Sequence, residues 1–196
     1  MLKKLIPIAV LVSLVVSNPI KTSPKDTSDT VVIANTIAEE LNTKKNYPIL
    51  KGTVELRHTY TNAKENTFLF FDSEQTVVAT AKARYTYEVA LSEAEVYSVG
   101  NIIKVEIPSP KLDKSSVHRV ADTFKLIEDK SKLPTTNLAR ETMVKWEDSF
   151  DTSAVERIEL LHNKEELNNK AMYEVGSLIE ALQIEDNYVE IIIKEK

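Results

Sequence analysis

Three histidines, two adjacent serines and several carboxylate pairs are the residues of this chain that could do chemistry. His58, His118 and His162 include no His-x-x-x-His pair, and none belongs to a His-Glu-x-x-His pattern. His58 falls on the apolar side of an alternating segment, where a hydrogen-bonded core role outweighs a ligand role. His162 and Glu166 would share one face of a helix, but a zinc site needs three or four ligands and no others lie near them. Ser115 and Ser116 precede His118; residues two or three apart in a loop seldom form a nucleophile–base dyad, and the chain has no Gly-x-Ser-x-Gly elbow. The carboxylates Glu39/Glu40, Glu93/Glu95, Glu147/Asp148/Asp151 and Glu156/Glu159 could hydrolyse a glycoside only if two faced each other at about 5–10 Å across a cleft. They fall on helix faces and turns, where charge serves solvation. No catalytic or metal-ligating residue is assigned, and no cofactor is expected. The candidate binding residues are Arg57, Lys82 and Arg84, which would share one sheet surface if their strands are neighbours. Such a surface suits an anionic polymer or a lipid headgroup; solubilising charge on a wet face is the plainer expectation.

The elements that must position these residues are legible as changes of period. Val31, Ala34, Ile37, Ala38 and Leu41 recur at helical spacing, so a helix is expected from Thr30 to Asn42, capped by Asp29 and packed on the domain. The period then becomes two. Val54, Leu56, His58 and Tyr60 alternate with Thr53, Glu55, Arg57 and Thr59, and a second strand is expected over Thr67 to Phe71. The clearest strand runs from Val77 to Leu91, with Val77, Ala79, Ala81, Ala83, Tyr85, Tyr87, Val89 and Leu91 on one face. The small residues at 79, 81 and 83 predict close packing of a helix or sheet against it. Leu91 to Tyr97 reads as a short helix or turn. Ile103, Val105 and Ile107 form a strand stopped by Pro108 and Pro110, and another strand is expected over Thr123 to Ile127, before a loop containing Leu133 and Pro134.

From Thr136 the period is helical. Ala139, Met143, Trp146 and Phe150 make one stripe, continued by Val155, Ile158 and Leu161 after an expected break at Asp151 to Ser153. Ala171, Val175, Leu178 and Leu182 have the spacing of a coiled-coil seam, although packing across the sheet is the preferred use. Val189 to Ile193 is apolar on both faces, which predicts a strand inside a sheet. Strands, then long helices, then one strand give an α+β fold: a mostly antiparallel sheet packed by long C-terminal helices, with a final C-terminal strand.

Composition excludes more than it assigns. The chain has 196 residues, 3 glycines, no cysteine and a formal charge of −5. Phosphate-cradling loops need glycine, so neither a Walker loop nor a Rossmann fingerprint can be assembled. An acidic domain repels phosphate backbones, so nucleic acid is not an expected partner. The N-terminus carries an address. Lys3 and Lys4 lead into an apolar run from Leu5 to Val16, too short for the ~20 residues that span hydrocarbon and suited to an export signal. Val15 and Ser17 are small enough for a cleavage site. Absence of disulfides in an exported protein suits a bacterial surface. The expected organisation is a signal peptide or short membrane anchor over 1–17, a linker over 18–29 and one α+β domain over 30–196.

Those strands and helices also carry a resemblance. The segment Val77-Val78-Ala79-Thr80-Ala81-Lys82-Ala83-Arg84-Tyr85, the Leu91-Ser92 turn and the strand ending Val105-Glu106-Ile107-Pro108-Ser109-Pro110-Lys111-Leu112 resemble the bacterial family known as domain of unknown function 4230. The terminal helix Asn169 to Leu182 and the strand Val189 to Ile193 extend the likeness. The resemblance implies an N-terminal anchor or signal and implies no activity, substrate or catalytic residue. The expected role is a secreted or membrane-anchored extracytoplasmic domain that binds or scaffolds an unknown protein or envelope component, with membrane contact through its N-terminus and with oligomers open to it. A self-assembling membrane scaffold and a cell-envelope hydrolase are the alternatives.

Overall fold

Two long alternating segments pair along almost their whole length. In the computed structural model, which describes residues 27–68, 71–131, 138–182 and 188–194, β1 (Asn46–Phe68) and β2 (Phe71–Ala90) form one antiparallel ribbon of 23 and 20 residues. Thr67, Phe68 and Phe71, expected in a separate strand, belong instead to the far end of this ribbon, where Phe68 lies opposite Phe71; Leu69 and Phe70 lie outside the described residues. Tyr60 lies opposite Val77, His58 opposite Ala79, Leu56 opposite Ala81 and Val54 opposite Ala83, so the two apolar faces coincide. A bulge between Pro48 and Leu50 inserts Ile49, which is buried.

The other edge of β2 is covered by one strand broken into three pieces. β5 (Lys111–Leu112), β6 (His118–Arg119) and β7 (Lys125–Ser131) all run antiparallel to β2 in sequence order. The first break is a single 3₁₀ turn, Lys114–Ser116, in which Asp113 accepts from the Ser115 backbone N–H at 3.0 Å. The second break contains Asp122 in the left-handed region, φ 60°. Between β2 and β5 the chain makes a second, smaller sheet. Leu91–Glu93 form a 3₁₀ turn, and β3 (Glu95–Val99) and β4 (Ile102–Pro108) form a hairpin turning at Gly100 with φ 61°. Tyr97, expected in the turn, thus lies on a strand.

Helices fill the space between and behind the sheets. α1 (Thr27–Lys44) buries Thr30, Ala34, Ile37 and Leu41 against β3, β4 and the 3₁₀ turn, while Val31 faces solvent. Asp29 sits in its first turn, not at its cap. α2 (Leu138–Leu161) packs on the apolar face of the long sheet. Trp146, Phe150, Ala154 and Ile158 repeat every four residues and join the core cluster that contains Ala79, Ala81 and Ala83. That unbroken spacing corrects the break expected at Asp151 to Ser153. Those residues are good caps, but burial of Phe150 and Ala154 on either side of them keeps the helix intact. The chain turns instead at His162–Asn163. Asn163 caps α3 (Lys164–Glu180), its Oδ1 accepting from the Glu166 N–H at 2.7 Å.

α3 buries Leu167, Ala171, Val175 and Ile179 within the fold, which occupies the coiled-coil spacing read from sequence. β8 (Tyr188–Lys194) then pairs parallel to β4. It is an edge strand of the smaller sheet, order β3-β4-β8, not the interior strand its apolar sequence predicts. One side explains the apolarity: Val189, Ile191 and Ile193 pack on the core, and Ile191 lies 3.5 Å from where a Cβ on Gly176 would stand. Ion pairs guard the other side, Lys104–Glu190 at 3.3 Å and Lys194–Glu95. The architecture is α+β, antiparallel apart from β4–β8. No helix among the described residues is long and apolar enough to cross a membrane. The expected signal and most of the linker, the Leu133–Pro134 loop and the Ala139 side chain lie outside the described residues.

Candidate functional site

Residues directly opposite each other on antiparallel strands point to the same side. The β1–β2 register sets Thr53 opposite Arg84, Glu55 opposite Lys82 and Arg57 opposite Thr80. Arg57, Lys82 and Arg84, the three sequence candidates, therefore share one face, and all three side chains are exposed. The same parity brings Lys51 (opposite Thr86), Lys111 (opposite Glu88) and Lys125 (opposite Thr80) onto that face. Sequence reasoning missed these three because their positions depend on register and on the broken third strand. At strand spacings of ~4.8 Å and rises of ~3.4 Å per residue, the patch measures roughly 27 by 10 Å. Its carboxylates include Glu55, Glu88 and Asp113, which follows Lys111 on the same side, and Glu88 accepts a 2.8 Å hydrogen bond from the Asn46 side chain. Burial first, and then Asp113 nearby, push the Glu88 carboxyl above its usual value. Among the described residues, Arg57, Lys82 and Arg84 form no ion pair.

The opposite side of the molecule has the opposite sign. Glu141, Glu147, Asp148, Asp151, Glu156 and Glu159 on α2 and Glu165, Glu166 and Glu180 on α3 are exposed on the helical layer, against the exposed cations Arg140, Lys145, Arg157 and Lys164. The formal charge of −5 thus conceals an acidic helical side and a basic sheet side. Ile127 adds an apolar element to the basic face. It lies opposite Val78, two residues from Lys125, and is 60% exposed.

The histidines do not assemble. His58 is half-buried, its ring edge-on to Trp146 at 4.9 Å and stacked near Tyr60 at 6.3 Å. His118 is exposed beside Arg84 on the basic face. Ser115 and Ser116 are used by the turn before it: Ser115 Oγ donates to Asp113 Oδ1 at 2.6 Å, and Ser116 Oγ donates to the Asp113 carbonyl at 2.7 Å. His162 is not on a helix face with Glu166, because the chain breaks between them. It sits in the α2–α3 turn with its Nε2 2.7 Å from the Tyr85 hydroxyl and its ring edge-on to Tyr87 at 5.5 Å. Nothing in the sequence spacing links positions 85 and 162. Burial, and then Glu166, push the Tyr85 hydroxyl above its ordinary value; burial, then Glu159 and Tyr85, do the same to Tyr87. Both phenols therefore keep their protons at neutral pH, which suits a packing latch and works against a tyrosinate nucleophile. No group of three or more metal-ligating side chains stands together among the described residues.

Two shallow grooves lie elsewhere. One, of about 490 Å³, runs between α3 and β8 and is lined by Lys164, Asn168, Met172 and Ile191–Ile193. The other, of about 420 Å³, is lined by Arg119, Asp122, Phe124, Met143 and Glu147. It holds two carboxylates, but both are exposed. A glycosidase acid needs burial to hold its proton near neutrality. No family model, no curated protein and no solved structure matches this chain.

Proposed function

We propose that this chain is an exported domain, secreted or held at the outer face of a cell membrane, that works by binding or scaffolding, with the basic sheet face as its contact surface. One observation carries the reading: six cationic side chains, Lys51, Arg57, Lys82, Arg84, Lys111 and Lys125, gather on an uncovered face of an acidic protein. A surface needed only for solubility intersperses the two signs, whereas separated signs steer a charged partner toward one side. The address rests on Lys3, Lys4 and the Leu5–Val16 run. The resemblance to the uncharacterised bacterial family belongs to this proposal and adds no activity to it. Exposure of Asp122 and Glu147 disfavours the envelope-hydrolase alternative, and burial of Ala171 and Val175 within the fold disfavours assembly through a coiled coil on α3.

The test is retention on a sulfonate cation exchanger at pH 7 and low salt. The intact chain is expected to be retained despite its formal charge of −5. Combined Arg57→Gln, Lys82→Gln and Arg84→Gln should bring it into the flow-through with an unchanged circular dichroism spectrum. Equal retention of this variant, or flow-through of the wild type, refutes the contact surface.

A further inference from the structure

We propose that the basic sheet face docks on an anionic phospholipid bilayer; this names the partner of the contact surface above and rests on that reading. The first argument is shape. The cations lie on a three-stranded pleated surface, spaced ~4.8 Å between strands and ~7 Å along them, and neither groove lies on that face. A flat array matches a plane of headgroups, while a single small anion is held best in a concavity.

The second argument is Ile127. An isoleucine 60% exposed, opposite Val78 and two residues from Lys125 on the same face, has no role toward a soluble polyanion. At a bilayer, basic residues meet the anionic surface while apolar ones enter the headgroup boundary, and this face offers both. The third argument is the chain before α1. The apolar run ends at Val16 and α1 begins at Thr27, so fewer than a dozen residues separate them. Such a segment reaches at most ~35–40 Å even when extended, about one domain diameter. A membrane attachment made by one weak apolar element becomes stable when a polybasic patch adds a second contact.

The chain contains no cysteine, so one introduced thiol can carry a polarity-sensitive dye without interference. The intact protein carrying Thr59→Cys, beside Val78 on the basic face, is labelled, and Glu156→Cys on α2 serves as the reference position. Each is mixed with vesicles of equimolar phosphatidylglycerol and phosphatidylcholine, or of phosphatidylcholine alone. The dye at position 59 is expected to shift to the blue with anionic vesicles only, and salt should abolish the shift. The dye at 156 should stay silent. Insertion of the N-terminal run alone leaves position 59 in water, so the full chain remains interpretable. Combined Arg57→Gln, Lys82→Gln and Arg84→Gln should raise the lipid concentration at half-saturation about a hundredfold, and Ile127→Ser about fivefold without changing the salt dependence. Equal shifts on neutral and anionic vesicles overturn the proposal. A shift with soluble polyphosphate and none with anionic vesicles also overturns it while leaving the contact surface standing. No response to either removes both.

Discussion

Gly52 lies opposite Tyr85 on the apolar face of the long ribbon, and the phenol ring lies across it. A Cβ at position 52 would stand 2.3 Å from the Tyr85 hydroxyl oxygen, 2.4 Å from Cζ and 2.8 Å from Cε1. Gly52→Ala therefore displaces the ring and breaks the 2.7 Å bond to His162. His162 Nδ1 already lacks a partner among the described residues, so both ring nitrogens at the α2–α3 turn would then be unpaired. Overpacking costs about 1–3 kcal/mol, and the lost hydrogen bond with its stranded partner about 1–3 kcal/mol. The backbone gain from replacing glycine offsets about 0.4–1 kcal/mol. A net loss of about 2–4 kcal/mol follows, and at ~2–4 °C per kcal/mol the Tm falls by about 5–15 °C. Trp146, the only tryptophan and 1% exposed, reports the transition by fluorescence. The decisive comparison is Gly52→Ala in a Tyr85→Leu background, where the same methyl should be neutral or stabilising. An equal cost in both backgrounds would refute the close-approach argument.

Two further predictions concern the cap and the acidic end of the sheet. Asn163→Ala should cost about 1 kcal/mol by leaving the Glu166 N–H uncapped, and Asn163→Asp should restore the urea midpoint. Glu88 has its folded-state value raised by burial and by Asp113, so its protonated form is favoured by folding and its charge is a cost at higher pH. Glu88→Gln should raise the urea midpoint at pH 7, and the advantage should fade as pH falls through the ordinary glutamate range near ~4.3. An advantage that persists at pH 3 would mean that charge is not its source.

The long strand was legible because its alternation runs unbroken from Val77 to Val89, and all seven residues on that side are buried. Its partner's register was not legible, since alternation excludes a slip of one residue but not of two, which keeps the same faces and sets Arg57 opposite Val78 or Lys82 instead of Thr80. Of the third strand only the last piece was legible, as the strand expected over Thr123 to Ile127 and found as β7; the earlier pieces were hidden for a local reason. Asp113, Ser115 and Asp122 interrupt them every few residues, leaving no window long enough to alternate. Helix ends failed where two signals competed. Asp151, Thr152 and Ser153 have cap chemistry but lie between buried Phe150 and buried Ala154, whereas Asn163 follows a stretch with exposed Leu160 and Leu161. Burial decided both cases. The Tyr85–His162 contact joins residues 77 apart in sequence through the stacking of α2 on the ribbon, which no spacing encodes.

The distribution of charge on the outer sheet face is not what stability alone selects. Opposite charges on facing strands stabilise a pair by about 0.2–1 kcal/mol. The face uses that device once, placing Glu55 opposite Lys82; Glu88 also lies opposite Lys111, but burial and Asp113 disfavour its charged form. Elsewhere it forgoes it. Arg57 and Lys125 flank the same residue, Thr80, from its two sides, and Arg84 lies between Thr53 and His118. Acidic residues are not scarce, since the helical layer exposes nine across α2 and α3. Moving two of them to positions 53 and 118 would pair Arg84 on both sides without touching the core. On the proposed reading, the uncompensated cations answer to a partner outside the fold, and the exposed Ile127 among them suits one with an apolar layer beneath its anionic surface.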